Sequence, residues 1–167
     1  MKKILCALLC SILLFVLAGC KEKKTLAKTG VDIAYYAELG FVPESEIKLS
    51  DNVPENSEDS DYYFSSDNSL SFFSNGSFNY YYDSAAVTAI AAFSNMYGFE
   101  AGDVSIELTD TLDSQGLKYT EREPKDGELY FLPNGNFTVI ECNGLKNNLI
   151  FVLEDNSLCA ALLSQKK

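Results

Sequence analysis

"LSFFSNGSFNYYY", residues 70–82, sets Asn75-Gly76 between two aromatic runs. An Asn-Gly pair flanked by alternating apolar residues is the strongest short-range signal for a β-hairpin. Its register decides what faces the core. A two-residue loop sets Phe73 opposite Phe78 and leaves Ser69 and Ser71 on the face of Tyr80. A three-residue loop with Gly76 left-handed pairs Phe72 with Phe78 and Leu70 with Tyr80. It gathers Leu70, Phe72, Phe78, Tyr80 and Tyr82 on one face, with Ser71, Ser77 and Asn79 on the other. That separation makes the second register the expected one.

Toward the C-terminus, Ser84 can cap a helix near 84–97. Ala86, Ile90, Phe93 and Tyr97 form its stripe, thickened by Ala89 and Met96, and Gly98 ends it. Val104, Ile106 and Leu108 then alternate with polar residues as in a strand, and Leu117 and Tyr119 follow a turn. "LYFLPNGNFTVIE", residues 129–141, repeats the first hairpin after 59 residues, with Leu129, Phe131, Asn134, Gly135 and Phe137 on matching positions. Either half a domain is duplicated, or one turn chemistry is used twice. Strands are expected at 128–132, 137–142, 149–153 and 158–163. The fold class is therefore α+β, a mainly antiparallel sheet forming a meander or half-barrel with one short N-terminal helix and the helix near 84–97.

Both Asn-Gly segments are similar to the Phe-x-x-Asn/Asp-Gly-x-Phe turns of small lipocalin-like envelope proteins. A closed or half-closed sheet with an inward aromatic face would favour a cavity for a small apolar ligand, and a flat sheet with exposed tyrosines a protein partner.

Toward the N-terminus, Thr29-Gly30-Val31-Asp32 reads as a helix start with Thr29 capping. Val31, Ala34, Tyr35 and Leu39 lie at helical spacing, and Gly40 and Pro43 supply the stop. Residues 44–67 are acid-rich and read as loop, with the acidic stretch at 44–61. Its core "DNVPENSEDSD" (51–61) lacks the ligand ladder, central glycine and closing glutamate of a calcium loop.

At the start, Lys2 and Lys3 precede an uncharged apolar run from Ile4 to Leu17, then Ala18, Gly19 and Cys20. That order is an export signal, too short for a permanent membrane span. Leu17-Ala18-Gly19-Cys20 resembles the lipobox of bacterial lipoproteins. The resemblance implies cleavage before Cys20, diacylation of its thiol, and a location in the cell envelope facing the periplasm or exterior. Residues 1–19 would then be signal, 20–29 a lipidated tether, and 30–167 one globular domain. Lys21, Lys23, Lys24 and Lys28 crowd the tether, where each can add about 1 kcal/mol of attraction to anionic headgroups.

From Gly30 onward there are 7 basic and 23 acidic residues. Such a body has no basic stripe for phosphates, which argues against nucleic acid as partner. With no histidine anywhere, imidazole-based nucleophile pairs and metal sites are excluded. Lys48, Lys118, Lys125 and Lys146 lie in no nucleophile motif, and no cofactor motif is present. Cys142 and Cys159 fall on strands flanking a shared neighbour. Two strand spacings, roughly 9.6 Å, exceed the reach of about 7 Å for a disulfide, so both thiols should be free. Tyr62, Tyr63, Tyr80, Tyr81 and Tyr82 are the candidate recognition surface, since tyrosine joins apolar area to a hydroxyl. The sequence is thus read as a non-enzymatic, membrane-anchored binding protein for a small apolar ligand, a peptide or an envelope protein. The alternatives are an inhibitor-like interaction module using the tyrosines, or a small carboxylate-dependent hydrolase.

Overall fold

The computed structural model describes residues 27–52, 61–64 and 71–166. The export signal, Cys20 and the first three tether lysines lie outside the described residues, as does most of the 51–61 stretch. Helix α1 (Ile33–Leu39) is followed by strands β1 (Asp61–Phe64), β2 (Ser71–Ser74), β3 (Phe78–Asp83) and β4 (Ala86–Ala92). Helix α2 (Ser105–Ser114) leads into β5 (Lys118–Arg122), β6 (Phe137–Asn143), β7 (Asn148–Glu154) and β8 (Ser157–Ser164). The strands form one open antiparallel sheet in the order β1-β2-β3-β4-β8-β7-β6-β5. The α+β, mainly antiparallel architecture is as the sequence implies. Among the described residues no helix is long and apolar enough to cross a membrane.

The second helix is not where the alanines suggested. Residues 86–92 form β4, a central strand between β3 and β8. Alanine favours helix in isolation, but a strand buried on both faces is also a continuous apolar run. Val87, Ile90 and Ala92 join the core on the helix side, while Ala89 and Ala91 join the opposite one. The helix is instead at Ser105–Ser114, where Leu108, Thr111 and Leu112 are buried at helical spacing. Val104 and Ile106, expected to face a core in a strand, are about half exposed.

The hairpin register also differs from both readings. Phe73 pairs with Tyr80 and Phe72 with Tyr81, so Phe73, not Phe72, shares the core face of Phe78 and Tyr80. The turn is centred on Gly76 (φ +87°) and Ser77, because the Asn75 carboxamide oxygen accepts from the Phe78 amide (2.9 Å) and closes the loop one residue later.

Helix α1 is capped by Asp32, whose carboxylate accepts from the Tyr35 amide at 3.0 Å, and ends at left-handed Gly40. Thr29 lies outside the helix, and Ile33 and Ala37 are its buried positions rather than Tyr35 and Leu39. Gln115, just past α2, donates to the Val31 carbonyl (2.7 Å) and accepts from the Ile33 amide (2.9 Å), holding α1 beside α2. Lys28 pairs with Asp103, and its amide donates to Thr111. The body therefore begins by residue 28, and this lysine is committed to it. Gly98 packs so closely on Thr29 that any Cβ there would collide with the threonine hydroxyl.

The two meanders are related by an internal two-fold. β-Bulges fall at Tyr81/Tyr82 and at Val152/Leu153, 71 positions later. At the same offset, the Thr88 hydroxyl donates to the Tyr81 carbonyl and the Cys159 thiol to the Val152 carbonyl. The central register pairs Ile90 with Leu163 and Ala92 with Ala161, so the axis passes between Ala91 and Leu162. The repeat is therefore not the 59-residue hairpin recurrence. Residues 129–132 form turns rather than a strand, because β5 already pairs with β6 along that edge.

Candidate functional site

Two apolar faces result. The helix-side face packs under α1 and α2 and holds Phe73, Tyr80, Ile90, Tyr97 and Phe151. The hydroxyls of Tyr80 and Tyr97 are buried there without a good hydrogen-bond geometry, although the Asn75 side chain faces Tyr80. Burial pushes the Tyr80 phenol up to about 12.

The opposite face is crossed by residues 123–136, a strap between β5 and β6. Its Leu129, Phe131 and Leu132 pack on a cluster that includes Val139, Val152 and Ala160. Phe131 meets Phe93 edge-on at 6.3 Å. An ionic clamp fixes its start. Arg122 donates to both oxygens of Glu128 (2.7 and 2.6 Å) and to Glu141 (2.6 Å), and the Lys125 amide donates to Glu128. Burial alone would raise the Glu128 carboxyl, but the Arg122 bonds outweigh it and hold it low. For Glu141 the Arg122 bond is the leading cause and also lowers it.

The strap leaves part of this face open as a cleft of about 700 Å³, with Ala89, Ile150 and Leu162 among its floor residues and Tyr81 and Tyr130 in its wall. The two rings meet at 88° with centroids 4.8 Å apart, an arrangement that favours aromatic pairs. Burial raises both phenols above their ordinary value. The floor lies deep, with Ala89, Ile150 and Leu162 at most 5% exposed, whereas Tyr130 is 44% exposed. Asp83, Glu128 and Lys166 also border the cleft.

Of the five tyrosines singled out by sequence, Tyr81 lies at this cleft. Tyr80 is lost to the helix-side core, and Tyr82, beyond the bulge, pairs with Val87. Tyr62 and Tyr63 lie in edge strand β1, with register partners Phe73 and Phe72. Sequence reasoning missed Tyr130, because residues 128–132 were read as a strand. Glu128 after Arg122 and Lys125, followed by Pro133, was the signal for a strap. Cys142 and Cys159 are free on the two faces of the sheet, and β7 separates their strands as expected. Burial pushes them up to about 12 and about 11. Among the described residues no cluster of carboxylates or thiols is arranged to hold a metal ion. Comparison with protein-family models, characterised proteins and solved structures finds no match to this chain.

Proposed function

We propose that this chain is a lipid-anchored protein of the bacterial cell envelope that docks a protein partner in the cleft beside the strap. The anchor rests on the Leu17-Ala18-Gly19-Cys20 segment. With Lys28 fixed on the body, seven residues lie between it and the acylated Cys20, and the eight Cα steps reach at most about 28 Å. The domain works close to the membrane.

One observation carries the docking reading: a half-exposed tyrosine, Tyr130, held edge-on by Tyr81 at an open cleft that joins an apolar floor to a lining of polar groups such as Asp83, Thr88, Asn148 and Lys166. Small-molecule sites enclose most of their ligand, whereas an open cleft with an aromatic anchor suits a chain segment. The acidic body would speed encounter with a basic partner and make it sensitive to salt.

Two measurements test this. Labelled palmitate should enter the wild-type chain and not Cys20→Ser. A photoreactive aromatic residue at position 130 in living cells should crosslink one envelope protein, and the same residue at exposed position 35, on α1, should not. Absence of palmitate removes the anchor. Equal crosslinking from both positions removes the docking face.

A further inference from the structure

The three charged groups that border the cleft differ in what already holds them. Glu128 has both carboxylate oxygens gripped by Arg122, so its charge is matched within the chain. Lys166 donates to the Leu145 carbonyl, on the turn between β6 and β7. Asp83 is exposed at the end of β3, where its carboxylate accepts from the neighbouring Ser84 hydroxyl at 3.0 Å. Among the described residues no cation pairs with it. Asp83 is therefore the unmatched charge of the cleft.

The exposed aromatic ring stands on the same side. Tyr81 and Asp83 are two residues apart on β3 and both border the cleft, and the Tyr130 ring meets Tyr81 at 88°. Tyr81 is itself buried, so its part is to position Tyr130, which keeps 44% of its surface open. Lys166 lies on the other side, just past β8, with β4 between it and β3. The neutral groups add acceptors. The Thr88 hydroxyl already donates to the Tyr81 carbonyl and the Gln165 amide to the Ser50 hydroxyl, which leaves both with oxygen lone pairs.

We propose, resting on the docking reading, that the cleft reads an arginine on the partner segment, its guanidinium laid against the exposed Tyr130 ring and donating to Asp83. A guanidinium is planar and weakly hydrated, so it can stack on an aromatic ring while its edge donates to a carboxylate. An ammonium has no flat face to offer the ring. The field of the body has the sign this needs, with 23 acidic against 7 basic residues from Gly30 onward. Lys166 disfavours a second cation on the β8 side, so the cleft selects one basic residue rather than a basic run. Aliphatic neighbours of that arginine lie over the floor of Ala89, Ile150 and Leu162.

The test uses the full chain in lipid nanodiscs and capped Leu-Xaa-Leu peptides whose middle residue is arginine, citrulline or lysine. The arginine peptide should shift and saturate the ring signals of Tyr130 and the methyl signals of Ala89, Ile150 and Leu162, and it should bind more weakly as salt is raised. Citrulline keeps the shape without the charge and should bind at least tenfold more weakly. Lysine keeps the charge without the plane and should also bind more weakly than arginine. These comparisons need no protein variant and so are immune to misfolding. Asp83→Asn, at an exposed position, should bring the arginine peptide down to the level of the citrulline one and leave the citrulline one unchanged. The proposal is overturned if the arginine peptide moves no signal, if citrulline or lysine binds as tightly, or if Asp83→Asn keeps the preference for arginine. A position-130 crosslink to an envelope protein with no such preference would leave the docking reading standing and remove only this assignment of chemistry.

Discussion

Arg122 grips Glu128 with both ends of its guanidinium, Nη1 to Oε2 at 2.7 Å and Nη2 to Oε1 at 2.6 Å, while its Nε donates to Glu141. The three side chains are each less than a quarter exposed. The strap's descent onto the sheet starts from this fork. Removing the guanidinium strands two largely buried carboxylates, which costs several kcal/mol in a fully buried pair and less where water reaches. Arg122→Ala should therefore destabilise by about 2 kcal/mol. Amide exchange within 123–136 should quicken at least tenfold, with smaller changes in β7 and β8. Arg122→Lys should recover only part, because an ammonium cannot make the paired contact. Equal quickening throughout the sheet would show that the clamp supports the fold rather than the strap.

Acid should loosen the same element. Glu128 and Glu141 are both held below their ordinary range in the folded chain. Their contribution is complete above the unfolded carboxyl value, roughly 4.3. It disappears as pH falls through the lowered folded values. Exchange in 123–136 should rise on acidification below about pH 4.5 before β7 and β8 open. Glu128→Gln should flatten that early rise; a variant that keeps the full acid response would locate its origin elsewhere.

The cysteines report on the strap from beneath. Cys159 packs against the strap-side cluster and Cys142 against the helix-side core, and burial raises both thiols far above neutral pH. The thiolate is the reactive form, so neither should alkylate readily in the native chain, and both should do so after denaturation without reductant. Arg122→Ala should speed native alkylation of Cys159 while leaving Cys142 slow. Mass mapping after a timed iodoacetamide pulse reads both sites. Equal acceleration at the two would mean global opening.

How far the sequence carries can be seen at particular residues. The C-terminal strands were legible because Val139, Ile150 and Leu162 recur at strand spacing between polar turns, and Cys142 pairs with Leu149 as that spacing implies. β4 was not, because alanines that favour a helix also suit a strand buried on both faces. α2 was hidden by a short alternation through Val104, Ile106 and Leu108 that the longer spacing of Leu108, Thr111 and Leu112 overrides. The cleft was half legible. Tyr81 was singled out from strand geometry, but Tyr130 depends on a strap whose course is set by the Arg122–Glu128 contact, a tertiary event with no local period.

Helix α2 also offers a stabilising change. Its N-cap position is Val104, with extended φ −79° and ψ 146° and no side-chain bond to the first turn. Glu107 already stands three residues on, in the first turn. Val104→Thr would complete the Thr-x-x-Glu box, in which the hydroxyl accepts from a first-turn amide and the glutamate reaches back to the cap amide. The swap preserves shape, and because Val104 is 46% exposed the new hydroxyl is not buried without a partner. Capping contributes about 1 kcal/mol, and loss of some apolar contact offsets part of it. A net gain of about 0.5 kcal/mol should raise Tm by roughly 1–2 °C. Glu107→Ala in the threonine background should remove about half of that gain, and in the wild-type background it should have a smaller effect. If calorimetry finds the threonine variant no more stable, the valine methyls contribute more to the Val104–Ser157 bridge than an N-terminal hydrogen bond can supply, and the start of α2 is held by sheet contact rather than by capping.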